Sequence, residues 1–373
     1  MRLRVSLFLT LLISPFVRTS YAQPSKAPYP PSGAITDVSF DWSTHTSKAP
    51  GSDNWPTTWS DDGHLYAAWG DGGGFGGTNK RGRSSLGIAR IEGDAETYRG
   101  FNVWGGHEPE TQQKSKVIGK SYGLICVEGV LYMWVGLFRP NSTPFDEVRL
   151  AHSLDKGHTW KFCDWSFTRA DRVMIPTFLN FGRDNAGARD QYVYSYLIRY
   201  QSEEGPDNYE DKVPWLQCQR PGLIDLARVP KTGVLDRSKW EFFCGSNTDG
   251  SPKWTSQLQE RKPVFEDSNG VGWCISVSHN GRLRRYILAS EHTETHRGNL
   301  GIHDAPEPWG PWSTCYYAKG WGDNQIPKNT FYWSFVNKWL STDGTDFVMV
   351  FTGRKENDSW NTVHGKFHRP ESR

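Results

Sequence analysis

One pattern recurs five times between residues 51 and 367 and leaves few folds open. It consists of a strand, a tight turn, a second strand rich in aromatic and apolar residues, then a third strand. The second strands read Leu65–Trp69, Leu131–Val135, Tyr192–Tyr196, Tyr286–Ser290 and Phe347–Phe351. Each follows a turn signal: Asp62-Gly63, Glu128-Gly129, Ala186-Gly187, Asn280-Gly281 and Asp343-Gly344. Third strands are expected at Leu86–Ile91, Val148–His152, Leu223–Val229, Gly298–His303 and Thr362–Phe367, and outer segments at Trp160–Phe167, Trp240–Phe243 and Trp312–Tyr317. Most repeats lie about 61–66 residues apart, and one interval is stretched to about 94 by an inserted loop over Gln201–Arg220. Four-strand units repeated at a near-constant period indicate a radial architecture. The expected fold is therefore all-β: a five-bladed β-propeller of four-stranded antiparallel blades, occupying residues 34–373. The last blade has no outer strand after Phe367, so the orphan strand Ile35–Trp42 is expected to fill that place and close the ring.

A local motif supports this architecture. Ser153-Leu154-Asp155-Lys156-Gly157-His158-Thr159-Trp160 matches the Asp-box of sialidase-like propellers, in which the aspartate caps a turn and the tryptophan packs between sheets. It bears on fold and is nearly silent about function.

The N-terminus reads as a signal peptide over residues 1–22. Arg2 and Arg4 precede an apolar run from Val5 to Ile13, and Ser20-Tyr21-Ala22 supplies small residues for cleavage. A Pro- and Ser-containing linker, residues 23–33, follows. An exported protein, extracellular or periplasmic, is expected. Six widely spaced cysteines permit up to three disulfides and show no zinc-type spacing. A formal net charge of +2 without a basic run argues against nucleic-acid binding. The expected partner is a polysaccharide or oligosaccharide met by a monomer, with no membrane partner. The sequence requires no cofactor and no metal, although a structural Ca²⁺ is compatible with it.

Strand direction sorts the polar residues. If first strands start at an open face, second strands end there and the tight turns lie opposite. The open face then collects Asp53, Asp71, Lys120, Tyr122, Arg139, Thr177, Arg199, Trp273, Glu291, His292, Tyr332, Trp333 and Arg354, while Asp61, Asp62, His64, Asp190 and His279 fall on the far face. Acids, cations and aromatics around such a mouth suit glycan chemistry. Glycoside hydrolysis needs one carboxylic acid to protonate the leaving oxygen and a second carboxylate as base or nucleophile. Asp53 is the expected base, Glu291 the expected acid, and Asp71 a residue that tunes either. Trp55, Trp273 and Trp333 offer ring faces for sugars, with packing between blades as the competing role. Lys120, Tyr122, Arg139, Arg199, His292 and Arg354 complete the expected binding set. The cations also open a second chemistry, β-elimination on a uronate with His107 or His292 as base.

The phrases Ser52-Asp53-Asn54-Trp55-Pro56, Asp62-Gly63-His64-Leu65-Tyr66, Gly70-Asp71-Gly72, Gly187-Ala188-Arg189-Asp190, Ala305-Pro306-Glu307-Pro308-Trp309-Gly310-Pro311-Trp312 and Lys338-Trp339 resemble an exported, mostly bacterial family known as a domain of unknown function. That family is similar to five-bladed glycan-active propellers, and some relatives are endo-D-arabinanases acting through aspartates. The resemblance implies a glycosidase and favours Asp53 as an acid/base residue. Propellers of the arabinanase type bring acids from three blades, whereas Lys120-Ser121-Tyr122 and Ile175-Pro176-Thr177 stand at the corresponding places here. A non-catalytic glycan-binding propeller is the third reading.

Overall fold

The computed structural model describes residues 26–77, 83–106, 119–137, 147–201, 216–322, 325–326, 329–353 and 358–371. The expected signal peptide lies outside them. Strand β1 (Asp37–Lys48) precedes a first antiparallel unit of β2 (Thr57–Trp59), β3 (Leu65–Trp69), β4 (Gly87–Glu92) and β5 (Arg99–Trp104). A second unit contains β6 (Gly119–Val127), β7 (Val130–Leu137), β8 (Glu147–Ser153) and β9 (Lys161–Thr168). The third runs through β10 (Thr177–Asn180), β11 (Tyr192–Ile198), β12 (Gly222–Pro230) and β13 (Glu241–Ser246), with two added strands, β14 (Pro252–Thr255) on β13 and β15 (Pro263–Asp267) on β12. The fourth contains β16 (Ile275–Asn280), β17 (Arg285–Glu291), β18 (Leu300–Ala305) and β19 (Ser313–Ala318), and a short parallel contact joins β10 to β16. The last is β20 (Phe331–Phe335), β21 (Asp346–Thr352) and β22 (Trp360–His368).

β1 pairs antiparallel with β22, Val38 opposite Phe367 and Lys48 opposite Trp360, so the first and last strands of the described chain share one sheet. The only helical segments among the described residues are single 3-10 turns such as Arg183–Asn185 and Asn337–Trp339. β5 (Arg99–Trp104) was not foreseen.

The innermost strands of all five units meet around one small cavity, with Thr58, Leu124, Thr177, Ser276, Ser278 and Ser334 among its lining. Its volume of about 20 Å³ is close to that of a single water site. Between units the core is aromatic. Trp55 meets Trp360 at 5.3 Å and Phe75 at 5.5 Å, both edge-on, and the Trp360 indole donates to the Tyr98 hydroxyl at 3.1 Å. Trp134 stacks on Phe178 of the next unit at 6.0 Å and donates to Ser195 Oγ at 3.1 Å. Buried aromatics hold large apolar area and a single donor, and the Trp134 and Trp360 indoles place theirs on Ser195 and Tyr98. At Ser153–Trp160, Asp155 accepts from Thr159 N and Thr159 Oγ1 at 2.8 and 2.6 Å, and the Trp160 indole donates to Gly157 O at 3.0 Å, closing the turn.

All six cysteines are described and none is paired. Five are buried, and burial pushes the Cys126 thiol up to about 12.

Candidate functional site

Asp53 and Gly70 exchange both backbone hydrogen bonds, at 2.9 and 2.8 Å, extending the β2–β3 hairpin to its open end. That pairing brings Asp53 and Asp71 to one spot. Asp71 sits in the left-handed region at φ 53° and Asn54 at φ 56°, conformations that cost a non-glycine residue energy and concentrate at functional sites. Thr293, His296 and Tyr332, also on this face, share the same left-handed backbone.

Lys120 joins the two aspartates. At the start of β6 the register slips by one residue between Lys120 and Gly123, a bulge that re-aims the side chains there. The Lys120 ammonium lies 2.5 Å from Asp71 Oδ1 and 3.5 Å from Asp53 Oδ1. Gly70 leaves the room for this. A Cβ at that position would stand 2.7 Å from both Asp53 Oδ1 and Lys120 Nζ.

A second cation and a third acid extend the group. Arg83 Nε donates to the Asp71 carbonyl at 2.5 Å, and its Nη2 lies 3.5 Å from Asp71 Oδ2 and 3.7 Å from Asp358 Oδ2. The Asp358 carbonyl accepts from Gly51 N at 2.7 Å, tying the last unit to the first. The side chains grade outward, from Lys120 (8% exposed) and Asp53 (11%) through Asp358 (21%) to Asp71 (38%) and Arg83 (52%). Burial raises the Asp53 carboxyl above the usual carboxylate range, opposed by Lys120. Burial and the neighbouring Asp53 charge push Asp358 up to about 7.

Glu291 ends β17 and is completely covered. Its Oε2 accepts from Thr295 Oγ1 at 3.2 Å and its Oε1 from Arg297 N at 3.3 Å, while burial pushes the carboxyl up to about 8. The expected acid therefore has no surface that reaches solvent. The expected substrate role of His292 is corrected in the same way. It is fully buried, stacked on Tyr317 at 3.7 Å, and held to the Ala318 carbonyl through Nε2 at 3.1 Å. Burial drops it to about 3, so the ring stays neutral.

The three tryptophans take the packing role. Trp55 lies in the aromatic seam between the first and last units, and Trp333 against Trp321 at 5.9 Å. Trp273 packs on Tyr122 at 5.1 Å and Phe331 at 5.2 Å, and donates to Thr295 Oγ1 at 2.9 Å. Tyr122 is buried too, its hydroxyl held well above its usual range by burial. Arg199 is committed to the buried Asp225, which also accepts from Arg261 Nε at 2.7 Å. His107, Arg139 and Arg354 lie outside the described residues.

At the turn end, Asp62 accepts from His64 N at 3.0 Å, and Asp190 from Tyr192 N and the Tyr194 hydroxyl at 3.0 and 2.7 Å. Asp61, Cys126 and Asp184 offer ligand atoms within 4.8 Å of one another there, but the Lys156 ammonium already lies on Asp61.

No protein-family model and no curated protein matches the chain. Solved structures do. A candidate hydrolase from Bacteroides ovatus superposes with a TM-score of 0.51 at 12% identity, over 88% of this chain and 90% of that one. A GH43_1 enzyme from Xanthomonas citri gives 0.50 at 14% identity, over 86% and 90%. The same enzyme complexed with xylotriose gives 0.50 at 12%, over 89% and 92%. The likeness is one of fold. The chain shares the all-β, propeller-like fold of these structures, at identities too low to carry residue roles.

Sequence reasoning brought Asp53, Asp71 and Lys120 to one face, and they do meet. It missed Arg83 and Asp358. Asp358 follows the second strand of its unit, as Asp71 follows that of the first. Chemically the group combines three carboxylates and two cations in a partly desolvated setting, enough to hold a proton on one acid while another stays charged.

Proposed function

We propose that the protein is a secreted five-bladed β-propeller that hydrolyses glycosidic bonds in a polysaccharide. Asp53 acts as the base in this reading, with Lys120 and Asp71 tuning it. The observation that carries the reading is the carboxylate cluster at the open strand ends, where burial raises Asp53 and Asp358 beside two cations. The convergence of five inner strands on one cavity and the β1–β22 pairing support a closed ring of five blades. The fold likeness to a GH43_1 enzyme solved with xylotriose supports a sugar substrate. The resemblance to the exported family rests on its quoted phrases and agrees with this choice.

Hydrolysis requires a charged base and a protonated donor. Lys120, almost out of solvent, stabilises the charged form of Asp53, because a desolvated cation is little screened. Incubating the secreted protein with a panel of plant, algal and bacterial polysaccharides, followed by product mass spectrometry, tests the reading. New reducing ends without ultraviolet absorbance are expected, and Asp53→Asn should lower their release by about 10²–10⁴-fold. Unsaturated uronate products would show a lyase instead. Full activity of Asp53→Asn would remove the central assignment.

A further inference from the structure

Resting on the hydrolase reading, we infer that Asp358 is a third acid of the site and the residue that gives its proton to the leaving oxygen. The expected donor, Glu291, is sealed. Asp358 is the carboxyl next to Asp71 that keeps an open surface, and it faces the same guanidinium as Asp71 does. Its backbone is pinned by Gly51 N, two residues before Asp53, so the last and first units hold it in place.

The charges around it sort the two roles. Asp53, Asp71, Arg83 and Lys120 are the ionisable groups that act on Asp358. Lys120 is 8% exposed and attracts negative charge to Asp53 at 3.5 Å. Arg83 is 52% exposed and stands 3.7 Å from Asp358, so solvent screens much of its pull. Burial and the negative field of Asp53 raise the Asp358 carboxyl to about 7, so Asp358 is the acid placed to carry a proton to substrate. Neighbouring acids whose environments split them in this way are the usual basis of a donor–base division.

The step balances without a further reactant. The Asp358 proton passes to the glycosidic oxygen as the bond from that oxygen to the anomeric carbon breaks. The oxygen of one water ends on the carbon, and one of its protons goes to Asp53. Solvent then reprotonates Asp358 and takes the proton from Asp53.

Two measurements on the full chain test this. In the first, Asp358→Asn is compared with wild type on whichever polysaccharide of the panel is cleaved. A loss in kcat of about 10² or more is expected, together with loss of the alkaline fall in rate that wild type shows through about pH 7. Asp358→Ser serves as a second variant, and a thermal melt confirms that each is folded. Near-wild-type kcat in both, with Glu291→Gln inactive, would overturn the inference. The second needs no substrate. Carbon-13 NMR of aspartate-carboxyl-labelled protein should show one carboxyl titrating near pH 7 that is missing in Asp358→Asn. If every aspartate titrates below about pH 5, within the ordinary range, the inference fails. If the wild type cleaves nothing in the panel, the hydrolase reading fails, and the titration still decides whether Asp358 stores a proton.

Discussion

At Gly70 the absence of a side chain is what allows the Asp53–Lys120–Asp71 contact to exist. An added Cβ would sit 2.7 Å from two of its atoms and 3.0 Å from the Ser85 carbonyl. Gly70→Ala should therefore destabilise the fold by about 1–3 kcal/mol, read from denaturant unfolding, and suppress activity by displacing Lys120. Glu291 makes a prediction in pH. Its folded pKa of about 8 lies above the unfolded value of 4.5, so its contribution is fully present below about pH 4.5 and is lost as pH rises to about 8. Glu291→Gln should flatten the decline in stability across that window, measured by thermal melts at stepped pH; an unchanged slope would show that the group ionises freely. Single-residue legibility followed the same physics. Asp53 and Asp71 could be placed because they flank a hairpin whose turn is marked. The covering of Glu291 could not, since a position at a strand end says which way a residue faces and nothing about the loop that folds over it.

Individual strands were legible wherever a turn signal separated two aromatic runs. β3, β7, β11, β17 and β21 all fall where the pattern places them, within a few residues. What alternation could not decide was which aromatics are open. In a stack of sheets both faces of a strand are covered, so period-two patterning loses its inside–outside meaning, and Trp55, Trp273 and Trp333 proved to be core. The bulge at the start of β6 was equally invisible, because one extra residue leaves composition unchanged. That element carries a prediction. Lys120→Met would leave Asp53 buried without its nearest cation, which commonly costs about 3–5 kcal/mol. Denaturant unfolding should show that loss, with part of it recovered when Asp53→Asn is added; simple additivity of the two changes would mean the residues are not coupled.

For the whole molecule, the repeat interval was the decisive signal. It called for repeated four-strand antiparallel units before any strand boundary was known. The partner of β1 followed from a missing strand and was found on β22. Phe40 and Trp42 of β1 pack on Trp321, and Phe40 also on Phe347. Removing residues 1–48 should uncover this apolar face and the hydrogen-bonding edge of β22, the kind of edge that pairs with other chains. The shortened protein is expected to lose its cooperative thermal transition and to elute as aggregate in size-exclusion chromatography. A monomer melting like the intact chain would make the pairing dispensable.

The β1–β22 pairing also has a consequence in time. A ribosome delivers residue 37 long before residue 368, and no intermediate length of chain contains a partner for β1 in its native place. The N-terminal strand must wait, unpaired and adhesive, until the last strand has been made. Contacts of such large sequence separation slow folding, and incomplete chains with open strand edges are the species most prone to associate. Synthesis therefore lets the intervening units form in order, while the sheet shared by β1 and β22 is assembled only when both of its strands are present.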